Sequence, residues 1–186
     1  MTSRRNVLKT LFFGAIGTLG ASIGGVVVLI LRPNTDAEVE RAGYFVAARD
    51  VPLAGAPPVE HGDGRFFLVN LAPGEGAISG QPADSPGGLL ALSWRCPHLG
   101  CRLPWSANTV GCCRENFAPI IGLFDCPCHS ARFTKAGVRI FGPAPRSMDT
   151  MQIDVNEKGQ ITVQTGKRRS GGPDNPQRAV PWTPPS

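Results

Sequence analysis

Two short segments thirty residues apart hold the side chains with chemistry to offer: Cys96-Pro97-His98-Leu99-Gly100-Cys101 and Cys126-Pro127-Cys128-His129. Each supplies a thiolate and an imidazole at close spacing, Cys-x-His in the first and Cys-x-x-His in the second, plus one spare cysteine. Two cysteines and two histidines are a ligand set for a tetrahedral zinc ion. A zinc finger, however, usually pairs cysteine with cysteine and histidine with histidine along the chain. Here each segment mixes the two, so each could give a thiolate to one metal and an imidazole to another.

Sulfurs on one iron and imidazoles on its neighbour are the ligand set of a Rieske [2Fe–2S] centre. Both segments, spare cysteines included, resemble the motif of the Rieske iron–sulfur proteins, closely over this region and only in general layout elsewhere. The resemblance implies one [2Fe–2S] cluster per chain, held by Cys96, His98, Cys126 and His129. It also implies a Cys101–Cys128 disulfide clamping the two loops, a feature of the quinol-oxidising members that the oxygenase-type members generally lack. A third segment, Gly142-Pro143-Ala144-Pro145-Arg146, resembles the loop that covers one side of the cluster in the quinol-oxidising branch. Proline fixes φ and removes a backbone donor, so Pro143 and Pro145, with Gly142, would form a stiff apolar shield.

In that family the ligand histidines sit exposed at the tip, and the position of His129 hydrogen-bonds quinol. Oxidised iron acidifies its imidazoles, so reduction raises their affinity for a proton. His129 is therefore expected to accept a proton as the cluster accepts an electron, with His98 as its partner ligand. Leu99 would cover the tip near the quinone pocket, or else be ordinary loop packing. The remaining histidine, His61, lies among glycines and acids and is expected on a surface loop.

The departures from the family pattern are informative. High-potential members continue the second segment as Cys-His-Gly-Ser-x-Tyr, where the serine and tyrosine hydroxyls bond a bridging sulfide and a cysteine sulfur. This chain reads Cys128-His129-Ser130-Ala131-Arg132-Phe133, so both donors are gone. Hydrogen bonds to sulfur stabilise the more negative reduced cluster, and their loss lowers the potential. The expected value lies in the lower half of the Rieske range of about −150 to +300 mV, which suits menaquinol better than ubiquinol. Between the two segments, an insertion from Arg102 to Asp125 carries Cys112-Cys113. That pair could form a vicinal disulfide, bond another chain or stay reduced. No Cys-x-x-Cys-His occurs, so the chain offers no covalent haem site.

The elements that must position these segments begin with a leader. Ser3-Arg4-Arg5-Asn6-Val7-Leu8-Lys9 resembles a twin-arginine export signal, the route for proteins that fold around a cofactor before export. Leu11 to Leu31 follows without a charged residue, long enough at 1.5 Å per residue to cross about 30 Å of hydrocarbon. No small-x-small cleavage site follows it, so residues 1–33 are expected to be a retained leader and transmembrane anchor. Three positive charges precede the span and Arg32 follows it, placing the N-terminus in the cytoplasm of a bacterium and the remaining domain outside its membrane. That side is oxidising, which suits a disulfide. Residues 34–43 are polar and read as a hinge or solvated connector.

From residue 44 short apolar runs alternate with Gly- and Pro-rich turns: 44–48, 65–71, 89–94, 120–125, 138–141, 148–155 and 160–164. Asn156-Glu157-Lys158-Gly159 reads as a hairpin turn between the last two. The pattern predicts a small antiparallel β domain over 44–166, with the metal-binding part at about 95–146. The family resemblance makes this an all-β Rieske fold, an antiparallel β-sandwich base carrying a small cluster-binding subdomain, behind one N-terminal transmembrane helix. Residues 167–186 contain five prolines and a basic run, and read as a disordered or docking tail.

The charge of +5 over 186 residues invites a nucleic-acid reading. Its location removes that reading: Arg4, Arg5, Lys9 and Arg32 lie at one end, Lys167, Arg168, Arg169 and Arg178 at the other, and the middle is slightly acidic. The resemblance instead implies a subunit of a membrane quinol–cytochrome c reductase, with no independent catalysis. Its partners would be a cytochrome b subunit, quinol (menaquinol by the potential argument) and a c-type cytochrome acceptor, within a dimeric complex. Two alternatives stay open at this point: the small Rieske subunit of arsenite oxidase, and an exported structural zinc-binding module.

Overall fold

A computed structural model describes residues 4–9, 11–15, 43–75, 85–111 and 120–184. The chain divides into two compact units, residues 1–37 and 38–186. In the first, residues 4–9 and 11–15 are helical and exposed. Among the described residues no helix is long and apolar enough to cross a membrane. The expected span from residue 16 onward and the hinge at 34–42 lie outside the described residues, as does Cys112-Cys113.

The second unit is built from strands. A six-stranded antiparallel sheet runs in the order β1 (Gly43–Val46), β10 (Ile161–Gly171), β9 (Ser147–Val155), β4 (Gly88–Ser93), β3 (Phe66–Leu71) and β2 (Val59–His61). A four-stranded sheet follows chain order: β5 (Trp105–Gly111), β6 (Ile120–Asp125), β7 (Arg132–Phe133) and β8 (Arg139–Phe141). The larger sheet is two three-stranded halves joined narrowly, because β4 and β9 pair only through Ala91–Met151 and Leu92–Thr150. Both halves send side chains into one core: Phe66, Leu68, Leu89 and Ala91 from one, Val46, Met151, Ile153, Ile161 and Val163 from the other. The base therefore closes over itself as a sandwich.

Strand β3 explains how the base carries the smaller sheet. Its sequence Phe-Phe-Leu-Val-Asn-Leu is buried at every position. Successive side chains point to opposite faces, so Phe66 and Leu68 fill the base while Phe67, Val69 and Leu71 enter a second core. That second core also holds Leu103, Phe124, Ala131, Phe133, Ala144 and both Cys96 and Cys126. Each buried Phe or Leu contributes about 1.5–3 kcal/mol, so the metal-binding loops rest on the same apolar contacts that hold the two sheets together. A polar tie reinforces them: the Lys135 ammonium donates to the Gly55 carbonyl and pairs with Glu75, whose other oxygen accepts from Ala72 N–H at 2.8 Å.

The expected hairpin at 156–159 is present, with Gly159 N–H donating to Asn156 C=O at 2.9 Å and Gly159 left-handed at φ 71°. Strands β2, β5 and β7 leave no pattern in the sequence, since Val59–His61 and Arg132–Phe133 are too short to show a period and β5 is largely polar.

Two expectations are corrected. Residues 167–184 are not a disordered tail. Strand β10 continues to Gly171, pairing Arg168 with Met151 and Arg169 with Thr150 across a bulge. Beyond it Asn175 and Pro176 are buried, Asn175 Nδ2 donates to Met148 C=O at 2.9 Å, and Val180 exchanges two 2.8 Å bonds with Leu89. Pro176 sits in the 3₁₀ turn Asn175–Arg178, which fixed φ suits, so composition misled. Nor is His61 a surface loop residue: it lies on β2, buried, stacked on Phe66 at 4.8 Å with Tyr44 edge-on at 5.5 Å.

Candidate metal centre

The loop after β4 and the loop after β6 have the same backbone. In the first, Cys96 N–H donates to Cys101 C=O at 2.8 Å and Gly100 N–H to Cys96 C=O at 2.9 Å. In the second, Cys126 N–H donates to Ala131 C=O and Ser130 N–H to Cys126 C=O, both at 2.9 Å. A proline follows the first cysteine of each, fixing φ as the chain enters the turn. The fifth position is left-handed in both, Gly100 at φ 78° and Ser130 at φ 56°. Two six-residue loops thus present two cysteines from equivalent positions.

Cys96 and Cys126 are the free cysteines among the described residues, 3% and 2% exposed, and their side chains hydrogen-bond each other. The rings of His98 and His129 meet edge to face at 4.8 Å, His98 half-buried and His129 exposed. Cys101 and Cys128 form a disulfide with Cα atoms 6.6 Å apart, so the two loops are covalently joined.

Burial, and to a lesser degree the neighbouring Cys126, push the Cys96 thiol above its ordinary pKa, while backbone N–H groups of His98 and Leu99 donate to its sulfur and pull the other way. Charging the buried Cys96 sulfur is opposed mainly by the desolvation of its thiolate. Bound metal supplies the missing positive charge, and N–H groups already aimed at sulfur suit a thiolate ligand. The donor set therefore fits an iron–sulfur cluster with its sulfur side buried and its imidazole side near solvent. The sequence hid these two N–H groups, since main-chain direction has no residue-type signature.

The third segment packs on the second loop. Gly142 is left-handed at φ 93°, and a Cβ there would fall 2.5 Å from Ala131 Cα and 2.8 Å from Ser130 C=O. Any side chain would push the two loops apart. Ala144 is buried in the core that holds Cys96 and Cys126, whereas Pro143 and Pro145 are exposed on the outer side. Leu99 is 71% exposed at the turn of the first loop. Ala131 and Phe133 are both wholly buried and offer no hydroxyl. Arg102, next to the disulfide, lies 5.0 Å over the Trp94 ring and pairs with Glu60, bracing the first loop against β2.

The family model described as the Rieske [2Fe-2S] domain matches residues 46–155. A cytochrome b6-f complex iron-sulfur subunit of Prochlorococcus marinus is 27% identical over 166 residues, covering 87% of this chain and 84% of that protein. The subunit of the same name from Chlorobaculum tepidum is 28% identical, covering 86% and 80%. A cyanelle subunit 1 of Cyanophora paradoxa is 27% identical over 87% of this chain, which spans 63% of that relative's length. With the family model spanning more than half of the chain, and with paired cysteines, paired histidines and a disulfide between two equivalent loops, the chain belongs to the Rieske [2Fe–2S] domain family and binds a cluster of that type.

Proposed function

We propose that this chain is the electron-carrying Rieske subunit of a bc-type quinol–cytochrome c oxidoreductase, anchored in a bacterial cytoplasmic membrane with its β domain on the outer face. Relatives named as cytochrome b6-f complex iron-sulfur subunits support the placement in a bc-type complex. Cys96 and Cys126 would hold one iron and His98 and His129 the other. When bound, the cluster supplies a one-electron couple.

The remaining work belongs to the chain's own residues. His129, exposed at the tip, takes a hydrogen bond from quinol and holds the departing proton on the ring nitrogen that does not bind iron. Leu99, exposed beside it, packs against the quinone pocket of a cytochrome b subunit and excludes water. The buried cysteines sit on the core side, where no polar solvent reaches them. The electron passes to a c-type cytochrome partner.

The observation that carries the finer reading is the burial of Ala131 and Phe133 where family members of high potential have hydroxyl donors. Without those donors the reduced state is less stabilised, so the midpoint falls in the lower half of the range of about −150 to +300 mV and the donor is menaquinol. A redox-poised EPR titration of membranes carrying this chain tests both levels. A Rieske-type signal with a low midpoint is the expected result. A high midpoint would keep the cluster and remove the menaquinol assignment. No signal after reduction, with zinc in the purified chain, would end the electron-transfer reading.

A further inference from the structure

The sulfurs of Cys101, Cys126 and Cys128 all lie within 4.8 Å of one another. Two of them form the disulfide, while Cys126 is free and buried and hydrogen-bonds the free Cys96. Four sulfurs therefore lie together and share one S–S bond. A thiol held beside a disulfide exchanges with it, uncatalysed, in minutes to hours.

We propose that the Cys101–Cys128 disulfide re-pairs with Cys126 whenever Cys126 is not bound to iron. Cys126 Sγ attacks Cys101 Sγ. The Cys101–Cys126 bond forms, the Cys101–Cys128 bond breaks, and Cys128 leaves and ends with the proton that Cys126 gives up. One disulfide is lost and one is made, so the step needs no oxidant or reductant. Cys128 is the better leaving group because it is exposed, and its thiolate is solvated as it departs. The product still joins the two loops, so the surrounding strands need not come apart.

The consequence rests on the assignment of Cys126 as an iron ligand. A re-paired Cys126 has no free sulfur for iron. A domain whose disulfide closes before loading, or which later loses its cluster, then stays empty until a reductant frees it. Iron must be seated before the disulfide forms, and the bound cluster thereafter protects the disulfide next to it.

The test compares two full-length variants in a Cys112→Ser, Cys113→Ser background, which keeps that pair out of the exchange. Cys96→Ser and Cys126→Ser each remove one proposed sulfur ligand, so both are equally unable to complete the cluster. Each is incubated in mildly alkaline buffer, alkylated and mapped by mass spectrometry without reduction. Cys96→Ser is expected to give Cys101–Cys126 linked peptides with Cys128 alkylated, and Cys126→Ser to give Cys101–Cys128 alone. Only Cys101–Cys128 in both variants would overturn the proposal. Should either variant fail to fold, the background chain itself is mapped before and after a chelator strips its iron. Re-paired peptides appearing over hours after stripping, and none before, are expected; an unchanged map over a day overturns it. Iron and labile sulfide are counted separately. A Cys126→Ser chain that keeps both would refute the ligand assignment and leave the mapping to decide the exchange.

Discussion

Ser130 stands in the second metal-binding loop where Gly100 stands in the first. Each donates its N–H to the carbonyl of its loop's leading cysteine at 2.9 Å, and each is left-handed, at φ 56° and 78°. Only glycine adopts that conformation without a clash between Cβ and the carbonyl oxygen, a cost of about 1–2 kcal/mol for other residues. Ser130 is held there because the second loop must turn as the first does.

Ser130→Gly should therefore stabilise the loaded protein by about 0.5–1 kcal/mol, after allowing for glycine's larger entropy loss on folding. Gly100→Ala should destabilise by about 1–2 kcal/mol. Chemical denaturation followed by loss of the cluster's visible absorbance reads both. Effects of opposite sign, the smaller at Ser130, would confirm that the loops share one backbone constraint, and a neutral Ser130→Gly would show that the serine hydroxyl offsets its strain.

Restoring the hydroxyls should raise the potential. Ala131 and Phe133 are wholly buried, so an added oxygen at either position has no water to satisfy it. A hydrogen bond that favours the reduced state by about 1–2 kcal/mol corresponds to roughly 40–80 mV for a one-electron couple. Ala131→Ser and Phe133→Tyr should each raise the midpoint by about that amount, and the double variant by nearly the sum if the two oxygens reach different sulfurs. EPR-monitored titration gives the values. Midpoints that stay put in all three would sink the proposed low potential.

The metal-binding loops were legible in the sequence because residue type alone marks a donor set: Cys96, His98, Cys126 and His129 stand out wherever the backbone runs. The 156–159 hairpin was legible because Gly159 at φ 71° closes a turn that few other residues tolerate. What stayed hidden depends on contacts distant in sequence. Strand β5 reads as polar because part of it faces solvent, yet Trp105 packs on Phe124 at 5.0 Å and on Gly122, a glycine that leaves room for its ring. Residues 167–184 read as a tail because their Pro and Arg content gives no period, and partners far back in the chain, Leu89, Met148 and Met151, turn them into structure.

His61 should make the fold sensitive to acid. Burial lowers its pKa below the usual histidine value, and the Asp50 carboxylate only partly opposes this. The ring is stacked on Phe66, flanked by Tyr44, and its buried Nε2 has no hydrogen-bond partner, so a proton there finds no acceptor. The unfolded chain takes up that proton at a higher pH than the folded one. This contribution to stability is fully present above about pH 6.5 and is lost progressively as pH falls through and below it. Unfolding free energies measured at pH 7.5 and 5 should drop less for His61→Phe than for the unchanged chain. An identical drop in both would place the acid sensitivity elsewhere.

The C-terminal segment should be required for folding. Val180 supplies both hydrogen-bond partners of Leu89, a core residue with no exposed surface, and Asn175 caps the Met148 carbonyl. Trp182 packs on the base core and donates from Nε1 to the Gly159 carbonyl at 3.3 Å. Ending the chain after Gly171 leaves three buried backbone groups unpaired, at about 1–3 kcal/mol each, and uncovers apolar core beneath Val180 and Trp182. Those losses rival the roughly 5–15 kcal/mol by which a domain is stable, so the truncated chain should be recovered without a cluster and mostly aggregated. Ending it after Pro184 removes only two residues beyond these contacts and should yield a loaded protein with an unchanged unfolding midpoint. A chain ending at Gly171 that still loads iron and melts normally would show that β4 finds its partners elsewhere.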